Sequence, residues 1–172
     1  MYLAPIVGTI LGQIVGHWLH DYLGRMYMAR HNGRITPEAR LIAIWLSTPF
    51  YLTGIVVMGY ALGHHWHYMA LAVGWGLQNF GIIIITTAIN AYVLDAYPEG
   101  SGEVAALLNA GRVWGGFVAG YVQIVWAEKS GTVVEFGSQA GITAAAFFIV
   151  VGLQFFGERL RKWQGPMRFA TQ

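Results

Sequence analysis

Residues 41–62 read LIAIWLSTPFYLTGIVVMGYAL, and residues 68–93 read YMALAVGWGLQNFGIIIITTAINAYV. Neither stretch holds an Asp, Glu, Lys or Arg. Each exceeds the roughly 20 residues that cross a bilayer core of about 30 Å. The same texture continues outward through Trp126 and beyond, broken by short charged loops. Over the 172 residues, 56% are apolar and only 10% charged, whereas a soluble domain carries about a quarter charged residues. The deficit points to a polytopic membrane protein.

Other classes close at the same step. The absence of cysteine excludes a disulfide framework, a thiolate metal site and a cysteine nucleophile. A net charge of +2 is too small to argue for nucleic acid. The pI near 9.0 reflects arginines clustered at the ends of spans, which is how membrane proteins encode orientation. Residues 1–23 have neither a basic amino-terminal region nor a small-residue cleavage site, so they do not read as a signal peptide.

Hydropathy with turn and cap signals predicts an all-α protein of five transmembrane helices at about 4–23, 37–62, 68–93, 102–126 and 139–156. Residues 1–157 then form a five-span bundle, and 158–172 a basic cytoplasmic tail. In Thr36-Pro37-Glu38, Thr36 can cap, Pro37 suits the first helical position, and Glu38 meets the positive end of the dipole. Ser101-Gly102-Glu103 offers a similar start. The first loop carries Arg25, Arg30, Arg34 and Arg40, the tail carries Arg159, Arg161, Lys162 and Arg168, and the opposite face only Lys129. The positive-inside rule puts the loop and tail in the cytoplasm and the amino terminus outside. An odd span count with an external, leaderless amino terminus hints at missing upstream sequence.

Polar side chains are unevenly spread. Span one carries Gln13, His17 and His20; span three Gln78, Asn79 and Asn90; span four Asn109, Arg112 and Gln123. Spans two and five are almost bare, so spans one, three and four should face a cavity, with two and five peripheral. In span four Ala105, Asn109, Arg112, Gly116, Gly120 and Gln123 share one face. Gly8, Gly12 and Gly16, like Gly111/Gly115 and Gly116/Gly120, repeat every fourth residue, a spacing that lets helices approach closely. Arg112 lies about 15 Å along its helix, where Arg costs roughly 2.5–3.5 kcal/mol unless paired or hydrated, so an acidic partner is expected in this chain or on an absent helix. No metal site is expected: His17 and His20 sit at one end of the spans and His64, His65 and His67 at the other, too far apart for ligand bonds of about 2 Å.

The cytoplasmic segment is more specific. Gly12-x3-Gly16-His17-x3-Asp21-x2-Gly24-Arg25, followed by Ala29-Arg30-x-Asn32-Gly33-x3-Pro37-Glu38-x-Arg40-Leu41, resembles the loop between helices eight and nine of major facilitator superfamily transporters, particularly fungal ones. Asn79-Phe80-Gly81 and Tyr92-x2-Asp95-x-Tyr97-Pro98-x2-Ser101-Gly102-Glu103 look like that group's tenth helix and following loop. Asn109-x2-Arg112-x3-Gly116-Phe117, with Trp126 and Gly131, looks like the eleventh, and Gly157-x-Arg159-x-Arg161-x-Trp163 like the exit from the twelfth. Any one motif is weak, but their order over five spans is fairly specific, although Asp21-Tyr22-Leu23-Gly24-Arg25 is an imperfect copy of the superfamily's loop motif.

The resemblance implies the partial carboxy-terminal six-helix bundle of a secondary transporter working by alternating access. It also implies a small-molecule substrate, the lipid bilayer of the plasma membrane, and amino-terminal helices of the same transporter as partners. The cytoplasmic gate would be Asp21, Arg25 and Arg40 with Asp95; substrate contacts would come from Gln13, Gln78, Asn79, Asn109 and Arg112. The fungal likeness points to a proton-coupled carrier of small organic molecules such as drugs or polyamines, with no cofactor, and histidine titration near neutrality makes His17 or His20 candidates for proton carriage. The competing reading is a complete five-span protein that associates with other membrane helices without transporting. An enzyme is disfavoured because the histidines are split across the bilayer and no nucleophile-base pair is evident. Substrate, coupling ion and direction are left open.

Overall fold

The structure, a computed structural model, describes residues 3–30, 40–97 and 100–164. These residues form five helices: α1 (Leu3–Arg30), α2 (Ile42–Gly63), α3 (Tyr68–Ala96), α4 (Ser101–Ser130) and α5 (Thr132–Gln164). No strand occurs among them.

Except for α2, which begins at Ile42 rather than 37, the helices outrun the predicted spans. At 1.5 Å per residue, the 28 residues of α1 extend about 42 Å, well past a hydrocarbon core of about 30 Å. Hydropathy marks where apolar sequence stops, but backbone hydrogen bonding continues through the polar ends. The loop expected between 126 and 139 therefore shrinks to one residue, Gly131, at φ +81° and ψ 152°. Its N–H donates to the Ala127 carbonyl at 2.9 Å, and its own carbonyl accepts from the Glu135 N–H at 3.1 Å. At the other fourth-helix end the cap position is Gly100 rather than Ser101, with no side-chain cap bond. The expected cap Thr36-Pro37-Glu38 lies outside the described residues, as do Arg34 and the tail from residue 165. The turn between α2 and α3 is closed by Trp66 N–H donating to the Ala61 carbonyl at 2.9 Å.

Packing centres on α3, which receives α1 on one side and α2 on another; α5 lies on the far side of α2. Leu41, Ala43 and Ile44 from the α2 end meet Ile84, Ala88 and Tyr92 of α3 in the core. Close approach depends on glycine. A Cβ at Gly54 would stand 2.5 Å from the Gln78 backbone nitrogen, and one at Gly81 2.7 Å from that of Tyr51. Gly8, Gly12 and Gly16 of α1 are buried against Gly76, Phe80 and Ile84 of α3.

The expectation that the second helix is peripheral needs correcting. Small residues such as Ala43, Ser47, Gly54, Gly59 and Ala61 are buried on α2 and let it pack between α3 and α5. An apolar helix facing other helices and one facing lipid have the same hydropathy, so sequence could not separate them. α4 is the outlying element, with no buried residue, and its Gly111, Gly115, Gly116 and Gly120 face open space. Three helices, α2, α3 and the Thr132–Gly157 part of α5, are long and apolar enough to cross a membrane. α1 and α4 fall short of that hydropathy among the described residues, because they carry the polar stripes.

Candidate functional site

At one end of the bundle, Arg40 just before α2 donates from Nε to Asp95 Oδ2 in the last turn of α3, at 3.0 Å. Residues 55 positions apart are thereby joined. The side chains are 31% and 41% exposed, so solvent weakens but does not abolish the attraction. On α1, His17 Nε2 lies 3.7 Å from Asp21 Oδ2 across one helical turn. A cavity of about 220 Å³ opens between these groups, with Gln13, His20, Asp21, Arg40 and Thr87 on its wall. Asp21 also lines a neighbouring cavity of about 330 Å³ that contains Arg25. All four residues singled out for the gate therefore gather at this end, with a direct ion pair only between Arg40 and Asp95 among them in the described residues.

The five substrate-contact candidates are not gathered. Gln13 lies with the gate residues. The backbone of Gln78 abuts Gly54 in the α2–α3 contact. Asn79 Nδ2 donates to the Trp75 carbonyl of its own helix at 2.9 Å, and Asn109 is exposed on α4. Arg112 Nη2 donates to Asn90 Oδ1 of α3 at 2.7 Å and, with Thr86 and Leu108, borders a cavity of about 430 Å³. The acidic partner anticipated for Arg112 is absent among the described residues; a neutral carboxamide stands there.

Three features escaped the sequence reading. Asn90 was visible as part of a polar stripe but was not paired with Arg112. Glu135, only 1% exposed, accepts from Gln139 at 2.6 Å and is bonded by Gln123 of α4. A reading that placed residue 135 in a loop had no reason to expect its burial. Trp45 Nε1 donates to Gln154 Oε1 at 2.8 Å, which gives a polar residue of the nearly bare fifth span its partner on α2.

The chain is similar to fungal MFS-type transporters, the group to which the order of its motifs pointed. An uncharacterized MFS-type transporter of Schizosaccharomyces pombe is 29% identical over 166 residues, covering 95% of this chain and 28% of that protein. An uncharacterized transporter of the same yeast is 26% identical over 171 residues, covering 93% of this chain and 33% of the relative. The MFS-type transporter oryF of Aspergillus oryzae is 29% identical over 117 residues, 68% of this chain and 24% of its own length. The chain thus spans about a third or less of the length of these curated relatives. No family model matches it, and no solved structure does. Transporter relatives and three membrane-length apolar helices together identify an integral membrane protein with a transporter's relatives.

Proposed function

We propose that this chain is the carboxy-terminal portion of a secondary transporter that moves a small solute by alternating access. The observation that carries the reading is the Arg40–Asp95 bond. It ties the entry of α2 to the exit of α3 at the end where Asp21 and Arg25 also sit. The bond lies inside one packed unit, α2 against α3, so in this reading it braces the charged end against which upstream helices would close.

In this reading all five helices cross the bilayer, and the polar stripes of α1 and α4 face a water-filled path shared with upstream helices. Arg25 and Arg40 at the gate end, against Lys129 at the other, orient that end toward the cytoplasm and the amino terminus outward. The membrane is proposed to be the plasma membrane. Arg112 supplies positive charge to the cavity between α3 and α4. Names of relatives support a transporter in general; the solute class rests on this proposal.

Two measurements test it. A tag at the carboxy terminus of the endogenous product, sized on a denaturing gel, should give a band about three times 18.9 kDa, in proportion to the share of the relatives that this chain covers. A stable band at 18.9 kDa would replace transport by helix association. In the full-length product, Asp95→Ala and Asp21→Ala should each slow uptake of small organic solutes from a panel at least about tenfold, if the lost bonds are worth about 1.5 kcal/mol or more. Normal rates in both variants would sink the gate.

A further inference from the structure

Arg112 stands about 16 Å past Ser101 along α4, near mid-depth of a hydrocarbon core of about 30 Å. Its guanidinium stays charged at every accessible pH and carries several N–H donors. One of them, on Nη2, is taken by Asn90 Oδ1 at 2.7 Å. The carboxamide is neutral, so it satisfies a donor and leaves the charge in place. Each carboxylate among the described side chains is engaged or distant. Asp95 is bonded to Arg40, and Asp21 shares a cavity with Arg25 on α1. Glu135 is held by Gln139 and Gln123. Glu103 and Glu128 lie on α4 itself, about 13 and 24 Å from Arg112 along the axis.

The uncompensated charge borders the cavity of about 430 Å³ between α3 and α4, a volume within the roughly 300–1,000 Å³ of small-molecule sites. Ile89, Val104, Leu107 and Leu108 give that cavity apolar walls, and Thr86 adds one hydroxyl. Charge and shape select the occupant. A cation is repelled, a neutral solute leaves the guanidinium as it was, and a dianion leaves surplus negative charge in a medium of low dielectric. A monoanion brings the site to neutrality. The planar guanidinium fork matches a carboxylate, which can accept two parallel N–H bonds. An apolar body on that carboxylate is buried favourably against the walls. A phospholipid headgroup does not reach this depth, because headgroups lie outside the hydrocarbon core.

We propose that the cavity between α3 and α4 is a binding site for a monocarboxylate with an apolar body, the carboxylate on Arg112 and the body against Ile89, Val104, Leu107 and Leu108. Asn90 is a positioning residue: it holds one Nη2 hydrogen and leaves the remaining donors for the ligand. The bound anion neutralises the guanidinium and so lowers the cost of keeping α4 in the hydrocarbon core. That the ligand is cargo rests on the transport reading given above; that it binds does not.

The experiment uses the purified product of the endogenous gene in detergent at about pH 7.5, where carboxylic acids are ionised. Radiolabelled hydrocinnamate is the probe, with octanoate, benzoate and the neutral hydrocinnamamide as competitors. Binding should saturate, the acids should displace the probe, and the amide should do so at least about tenfold less well, the order expected on loss of a hydrogen bond between charged partners. Asn90→Asp sets a carboxylate where the carboxamide now accepts from Arg112. It should neutralise the guanidinium from within, weakening the probe at least about tenfold while α4 is held as firmly, read as an unchanged melting temperature. Arg112→Gln should weaken binding by a similar factor, so misfolding of one variant leaves the other to decide. A role confined to packing predicts unchanged binding in Asn90→Asp. Equal displacement by acid and amide, no saturable binding of any of the three acids, or binding unmoved in both variants overturns the site. Transport is read apart, in proteoliposomes. Acid-selective binding without uptake of the labelled acid refutes the cargo role and leaves the site standing, whereas uptake of neutral or cationic solutes without acid binding removes the site and keeps the transporter.

Discussion

Arg112 shows how one side chain can oppose the stability of its helix. Its guanidinium has only the Asn90 carboxamide as an identified partner among the described residues. A neutral acceptor relieves part of the desolvation cost without cancelling the charge. Replacing Arg112 by Leu should therefore make α4 insert more readily by about 3 kcal/mol, as scored in a translocon insertion assay. Under the transport proposal, the same substitution should depress solute uptake by the full-length product. A fall in both would mean that Arg112 serves packing. At this scale the sequence was only partly legible. The resemblance named Arg40 and Asp95 together and the structure joins them, while their role as a gate belongs to the proposal. The partner of Arg112 was not found, because which neighbour a polar side chain meets depends on helix rotation and register, and the periodicity of one helix does not fix these against another.

Elements differ in how they are held. α2 and α3 are locked by backbone-to-backbone approach at Gly54 and Gly81, where a methyl group has no space. Gly54→Ala should cost about 1–3 kcal/mol through overpacking, seen as a lower melting temperature in detergent. Gly115→Ala and Gly120→Ala on α4 meet nothing within 4 Å. They should leave the melting temperature of the 172-residue chain unchanged, or raise it slightly through helix propensity. Under the transport proposal, the same two changes should slow uptake by the full-length product if upstream helices cover that stripe. The number of helices was legible from apolar runs separated by charge and turn residues. Their ends were not, since Glu128, Lys129 and Glu135 read as loop but are helical. The centrality of α2 was equally hidden, because small apolar residues look the same to a neighbouring helix and to lipid.

For the molecule as a whole, the exposed surface is the informative quantity. Trp18 is 76% exposed, Tyr121 77% and Leu107 74%, and α4 has no buried residue. On α1 and α4 these large side chains are interspersed with Gln13, His17, Asn109 and Arg112, a mixture suited neither to plain lipid nor to plain water. The 172-residue chain purified alone should therefore be polydisperse by size-exclusion chromatography with light scattering. If the proposed upstream helices precede it, co-expression with them should sharpen it to one species. A monodisperse monomer from the short chain alone would count strongly against the half-transporter reading.

The joint at Gly131 has a consequence for mutational tolerance. Its backbone, at φ +81° and ψ 152°, occupies a region open essentially to glycine alone, although a Cβ there would meet nothing within 4 Å. Size and polarity should consequently not matter. In a saturation scan of the full gene, alanine, serine, aspartate and tryptophan at position 131 should all be depleted to a similar degree, while Ser130 beside it accepts most replacements. A graded response at 131, mild for alanine and severe for tryptophan, would show that crowding rather than chirality governs the joint. Uniform depletion would make this codon one at which nearly every missense change is equivalent, a point of inheritance as rigid as any in a buried core yet lying at the surface.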